Sequence, residues 1–490
     1  MLLAGGELDK YCLSPWVSEL MYFETESGMS EVKDALEQAV AKFIVDFSAA
    51  HIDARSLEAA KTLLKDQLAN QLGAAHLPWS RQVRESRQWR QGSSSELGVG
   101  LKLTAADAAY LNASYGHGFE YDDFAGNAHP GCCVVPVALA IAEELGATCE
   151  QMLVAMVAGY ETYVRLGRLC TPDLLHAGWQ PHSVLANFGA AAVAAKLYGL
   201  DVEKTRHALA IALSHASGTT EYASTGGSIK RVHAGIAVRN GIESVELALA
   251  GLTGPLQFLT GNRGLYKTFA GKSVGPQAAE GFLFDEPLMI LNFSLKPYCC
   301  CAATHPFIDV IANLGSQVER IHSIDAYLQT SADAIVGSQN SHIYNPQNIE
   351  QLQYSLPVQM ALSALSLGNG YATHLRFLRG ELSLEPDSQV INLAGRIRLN
   401  VSKDLDERYP DRFVADLLLH LSDGSTLALF QDAATGTARN PLTARALRRK
   451  FDELTVPTLG QQRADDLYQF LDKLSPSTPT KQLISLLKAA

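Results

Sequence analysis

The sequence predicts a mainly α protein: a large, discontinuous helical domain with a smaller α+β domain inserted in it. Three observations carry the prediction. Residues 104–254 are a succession of alanine-rich apolar segments at helical spacing, with breaks at Gly146, Gly178, Gly199 and Gly218. Residues 282–435 contain segments in which apolar and polar side chains alternate, the period of a strand. The helical period returns after Asn440-Pro441-Leu442 and runs to the end.

Taken in order, residues 1–34 have no clear period and read as a variable extension. The first part of the helical domain is placed at 35–281. Ala35, Leu36, Val40, Phe43, Ile44 and Phe47 recur at three- and four-residue steps, and a second helix is expected over Ser56–Leu72. Arg81, Arg84, Arg87 and Arg90 are evenly spaced and read as a solvated helix face. Six helices follow, over Ala105–Ala113, Val135–Leu145, Cys149–Leu166, Ser183–Tyr198, Val202–Ala216 and Gly235–Leu252. The α+β domain is placed at 282–435. Strands are expected over Ile324–Thr330, Ile391–Val401 and Val414–Leu421, the last turning at Asp423-Gly424 into Thr426–Phe430, with a helix at Pro357–Leu367. Residues 436–490 complete the helical domain. A cleft between two such domains is a common place for a small-molecule site.

Composition narrows the function. Of 490 residues, 47% are hydrophobic and 19% charged, enough apolar material for a large core and too much for wholesale disorder. The net charge of −11 argues against non-specific nucleic-acid binding. Apolar runs such as Cys132–Ala142 stop short of the ~20 residues a membrane span needs. No signal-peptide pattern opens the chain, and a cytoplasmic location is expected. The eight cysteines include no CxxC pair, so they read as reduced, buried thiols rather than metal ligands or an iron–sulfur set.

Four clusters could carry chemistry. Gly116-His117 to His129-Pro130-Gly131 holds Glu120, Asp122, Asp123 and two histidines, a setting in which a carboxylate fixes an imidazole tautomer. The two aspartates could instead cap a helix. Gly178-Trp179-Gln180-Pro181-His182-Ser183 opens a helix, whose free N–H groups favour anions. Ser224-Thr225-Gly226-Gly227-Ser228 leads into Lys230-Arg231-Val232-His233, which suits a carboxylate ligand but lacks Walker spacing. Lys296-Pro297-Tyr298-Cys299-Cys300-Cys301 falls near the domain junction, where Lys296 could hold a second carboxylate.

These motifs, in this order, resemble the MmgE/PrpD family. The resemblance runs from about residue 35 to 455 and includes Leu111–Glu144, Gly159-Tyr160-Glu161, Gly178–Ser183, Lys230–Gly235, Lys296-Pro297-Tyr298, Tyr344-Asn345-Pro346 and Tyr354–Pro357. It implies a homodimer with no metal or organic cofactor and small di- or tricarboxylate substrates. It also implies site residues. The family's Asp, Thr and His of the first motif fall on Glu120, Phe124 and His129; its two lysines on Lys230 and Lys296; its Tyr on Tyr344. The usual Gly-aromatic-His-x-Thr reads Gln180 at the His position, with His182 two residues later. The implied catalytic set is His129, Glu120, His182, Lys230 and Lys296. Lys230, Lys296, Tyr344, Gln180 and Arg231 are the implied substrate contacts. A lyase is expected, with dehydration of a citrate-type hydroxy acid ahead of decarboxylation of a cis-aconitate-type acid. Epimerisation of a dicarboxylate, or a non-catalytic binding role, are the alternatives. Phe in place of Thr further suggests that one corner of the pocket faces an alkyl substituent.

Overall fold

The computed structural model describes residues 34–125, 128–312 and 314–488. Residues 1–33 of the N-terminal extension, with Cys12, lie outside them. The principal helices of the first half are α1 (Ala35–Asp46), α2 (Ala54–Ala74), α3 (Ala105–His117), α4 (Gly131–Leu145), α5 (Cys149–Arg168), α6 (Pro181–Leu197), α7 (Val202–Ser214) and α8 (Lys230–Leu249). Their starts are chemically marked. Asp53, Thr104, Thr148 and Asp201 each accept a backbone N–H of the following turn, which satisfies a donor the helix leaves free.

Helix α6 is buried along almost its whole length and packs against α5 and α8, while α3 packs on α8 and α4. Small residues make this possible. A Cβ at Gly159 would collide with Val193, and one at Gly241 with Ala190. The helix axes can approach closely because those side chains are missing.

The expected continuous helix face over Pro78–Gly100 is not formed. A short helix over Pro78–Glu85 gives way to β1 (Gln91–Ser95), paired antiparallel with β2 (Lys102–Leu103). The arginines are not simply solvated. Arg84 donates to the Ala75 carbonyl and the Tyr115 hydroxyl, and Arg87 and Arg90 pair with Asp107.

The second half contains a four-stranded sheet in the order β4 (Ile397–Val401), β3 (Ile321–Leu328), β5 (Ala415–Leu421), β6 (Thr426–Gln431). Strands β3 and β4 are parallel, which requires the long helical crossover between them, and the other pairs are antiparallel. Along β5 the odd-numbered residues 415–421 are buried, the alternation expected of a sheet with one covered face. The stretch Ile391–Val401 is part helix and part strand: Ser388 caps a helix over Gln389–Ala394, and the strand starts at Ile397. Helix α9 (His305–Ile311) packs on α10 (Leu356–Ala364) and on the sheet. Helix α11 (Ala444–Leu459) returns to pack on α2, and Thr480–Leu487 packs on α4. No helix among the described residues is long and apolar enough to cross a membrane.

Candidate active site

The site is built on the loop that follows α3. Its central residue, Glu120, is 4% exposed and has φ of +56°, a left-handed conformation that costs a non-glycine residue energy. The surroundings hold it there. Arg231, in the first turn of α8, donates to the Gly118 carbonyl, and Gln353 donates to the Phe119 carbonyl at 2.9 Å. Arg231 is itself fixed by Glu350 at 2.7 Å and lies over the Trp79 ring.

So placed, the Glu120 carboxylate meets two lysines. Lys296 lies 2.9 Å from Oε2, Lys230 contacts Oε1, and the Tyr354 hydroxyl donates to Oε1 at 3.1 Å. Lys230 is 5% exposed and Lys296 fully buried. Asp122 Oδ1 lies 4.0 Å from Lys296 as a second buried carboxylate, so an incoming carboxylate would compete with Glu120 for the two lysines. Burial, and after it the Lys296 charge, hold Lys230 well below the ordinary lysine value, although its Nζ contacts Glu120.

Beside this pair stand three imidazoles. His117 Nδ1 is 2.8 Å from Asp122 Oδ2, and His129 Nδ1 is 3.4 Å from the same oxygen and 3.1 Å from the Asp123 carbonyl. These acceptors fix the Nδ1–H tautomer at His129 and leave its Nε2 as the free acid–base atom. His182 lies tilted against His117 with centroids 4.5 Å apart, and its Nδ1 meets the Tyr163 hydroxyl at 2.8 Å. Burial drives His117 down to about 3, and drives His182 well below the ordinary imidazole value. Burial opposes the ionisation of Asp122, but His117 and His129 outweigh it and hold its carboxyl well below the usual range. Burial and the Asp122 charge push Asp123 up to about 7. Asp123 also accepts the Gly131 N–H at 3.2 Å, so it does serve the start of α4. Gly131 is required here, since a Cβ would strike that carboxylate.

Two sets of side chains could hold a metal ion, His117–Asp122–His129 and His117–Cys132–His182, each with its donor atoms within 4.8 Å of one another. In both, the Nδ1 atoms already have protein partners, and burial keeps the Cys132 thiol strongly protonated.

A cavity of about 70 Å³ opens onto Glu120, His129, Gln180, Lys230, Lys296 and Tyr354. Five of the eight residues expected from sequence therefore share one wall system: Glu120, His129, Gln180, Lys230 and Lys296. The other three lie elsewhere. His182 stands behind His129 in the imidazole cluster. Arg231 is spent on Glu350 and the Gly118 carbonyl. Tyr344 is 38% exposed and gives its hydroxyl to the Ile397 carbonyl at 2.8 Å. Tyr354, ten residues on, lines the cavity with Tyr222 and Tyr409, and the Tyr222 hydroxyl accepts from the Gln180 amide at 2.8 Å. Tyr222 carries no sequence signal of its own. Tyr354 has one, in the Tyr354–Pro357 motif.

Residues 38–277 match the MmgE/PrpD N-terminal domain, and residues 298–473 match the MmgE/PrpD C-terminal domain. The chain belongs to the MmgE/PrpD family. Curated relatives include a cis-aconitate decarboxylase of Aspergillus terreus, 24% identical over 94% of this chain and 98% of the relative. The Homo sapiens cis-aconitate decarboxylase is 25% identical over 93% and 95%. A cis-aconitate decarboxylase-like protein, oryM of Aspergillus oryzae, is 29% identical over 58% and 63%. Phe124 and Gln180, the two positions at which a departure from the family motifs is expected from sequence, both line the cavity.

Proposed function

We propose that this MmgE/PrpD protein is a lyase for a small polycarboxylate, whose chemistry passes through a carbanion next to a carboxylate. The observation that carries the reading is one cavity lined by two buried lysines and a histidine with a fixed tautomer. Lys230 and Lys296 bind the substrate carboxylates, releasing part of their hold on Glu120. They also stabilise the negative charge that develops when a C–C or C–H bond breaks, and a preformed cationic site is worth more out of water than in it. His129 Nε2 carries the proton, with Asp122 orienting the ring from behind.

The names of the relatives favour decarboxylation of a cis-aconitate-type acid. In that reaction CO₂ departs, and His129, having taken up a proton from water at Nε2, delivers it to the remaining carbanion. Dehydration of a citrate-type hydroxy acid is the second reading. It is favoured by the presence of acid and base on the same cavity: His129 takes the C–H proton, and Tyr354 or Lys230 gives one to the departing hydroxyl. A direct assay follows CO₂ evolution and C=C absorbance with cis-aconitate, citrate and 2-methylcitrate. CO₂ from the first supports decarboxylation, and a new C=C band from either hydroxy acid supports dehydration. Tight binding of all three without turnover would leave a binding protein.

A further inference from the structure

Three helix ends meet behind the cavity. His117 is the last residue of α3, Cys132 and Cys133 lie in the first turn of α4, and His182 lies in the first turn of α6. All four side chains are buried, none more than 1% exposed. The chemistry proposed for the cavity uses His129 and none of these four. Most buried side-chain nitrogens have a hydrogen-bond partner. Here each imidazole has one only at Nδ1: Asp122 for His117 and the Tyr163 hydroxyl for His182, both at 2.8 Å. His117 Nε2 is buried without a hydrogen-bond partner. His182 Nε2 faces thiols, with Cys132 Sγ and Cys133 Sγ both 3.8 Å away. His117, Cys132 and His182 each bring one donor atom within 4.8 Å of the other two.

Two imidazole nitrogens and two sulfurs are the ligand set of a tetrahedral zinc-class ion. The spacing agrees with that. Zinc at ordinary bond lengths sets a nitrogen and a sulfur about 3.6 Å apart, against the 3.8 Å from His182 to each thiol. The Nδ1 partners complete the pattern. A ligating histidine gives its other ring N–H to a carboxylate or another oxygen, which fixes the tautomer and leaves Nε2 for the metal. No sequence spacing announces the set, because three separate helices supply it. We propose that His117 Nε2, His182 Nε2, Cys132 Sγ and Cys133 Sγ form a site for one zinc-class divalent ion. On binding, the two thiol protons leave to water and two metal–sulfur bonds take their place. Four protein ligands close the coordination shell, so the ion is structural. It ties the ends of α3, α4 and α6 together behind His129 and offers no open position to a substrate. The site stands whatever reaction the cavity performs.

The test uses the full-length protein from cells grown in minimal medium with added cobalt, which substitutes for zinc and is coloured. One cobalt per chain is expected by elemental analysis, with the visible bands of tetrahedral Co(II) and a sulfur-to-cobalt charge-transfer band in the near ultraviolet. X-ray absorption on protein grown with zinc should show two sulfurs at about 2.3 Å and two nitrogens at about 2.0 Å. Cys132→Ser/Cys133→Ser should lose both the metal and the charge-transfer band. Tyr163→Phe keeps all four ligands and should weaken zinc about 10–100-fold against a competing chromophoric chelator. Wild type that carries no metal above background would overturn the proposal. So would a metal shell without sulfur. Cobalt spectra unchanged in C132S/C133S would overturn it too, because the ion would then lie elsewhere.

Discussion

Asp122 and Asp123 are adjacent in sequence and opposite in ionisation. Two imidazoles keep the first charged, whereas the second, facing the charge of the first in a buried place, holds its proton up to about pH 7. The consequence for stability has a definite sign. The unfolded chain loses the Asp123 proton near its ordinary value of 3.8, well before the folded chain does. The unfolded state therefore binds fewer protons between about pH 4 and pH 7, and stability falls as pH rises through that window. Asp123→Asn removes the titration and keeps an oxygen for the Gly131 N–H. Its melting temperature should gain on wild type between pH 5 and pH 8, by the equivalent of about 1–4 kcal/mol. A constant difference across that range would contradict the assignment. At this scale the sequence was informative where residues cluster, as in Glu120–His129. It was misleading at Tyr344, because a motif fixes a neighbourhood and not which of two tyrosines, ten residues apart, turns inward. At Arg231 it pointed to a substrate contact, whereas the guanidinium is engaged by Glu350 and the Gly118 carbonyl.

At the scale of elements, the site loop is supported from a distance. Lys450 on α11 pairs with Asp66 on α2 at 2.6 Å and donates to the Tyr121 carbonyl at 2.7 Å, between Glu120 and Asp122. All of these groups are buried. Replacing Lys450 by Met would strand the Asp66 carboxylate, at a cost of about 3–5 kcal/mol. It would also loosen the loop that carries Glu120. Urea unfolding should show the loss of stability in K450M. In K450M/D66L stability should be recovered in part while kcat stays low, because the Tyr121 tether is still missing. Recovery of both together would mean that the tether does not position the site. Helices were easy to read because their apolar period is long and their caps are ordinary Ser, Thr and Asp. The β1–β2 hairpin was not, since Gln-Gly-Ser-Ser-Ser has little strand propensity and forms only because α3 and α4 lie beneath it. The Asp423-Gly424 turn was legible for the opposite reason: its conformation needs a glycine, and Gly424 has φ of +85°.

At the scale of the whole molecule, the cavity draws Glu120, His129, Gln180 and Lys230 from the first half of the chain. Lys296, Tyr354 and Phe413 come from the second. The Glu120–Lys296 contact spans 176 positions, a distance that no local pattern encodes. Family motifs in order were what pointed to it. The central claim is that His129 moves a proton to or from carbon in a cavity whose lysines hold the carboxylates. It is tested most directly by proton NMR in D₂O, with chelator present, on wild type and His129→Gln given cis-aconitate and citrate-type acids. Wild type should form a product with deuterium on the carbon next to a carboxylate, or a new vinyl signal. H129Q should do so more slowly by about 10²–10⁴-fold, with cis-aconitate affinity within a few-fold of wild type. Turnover in H129Q at the wild-type rate would contradict the account.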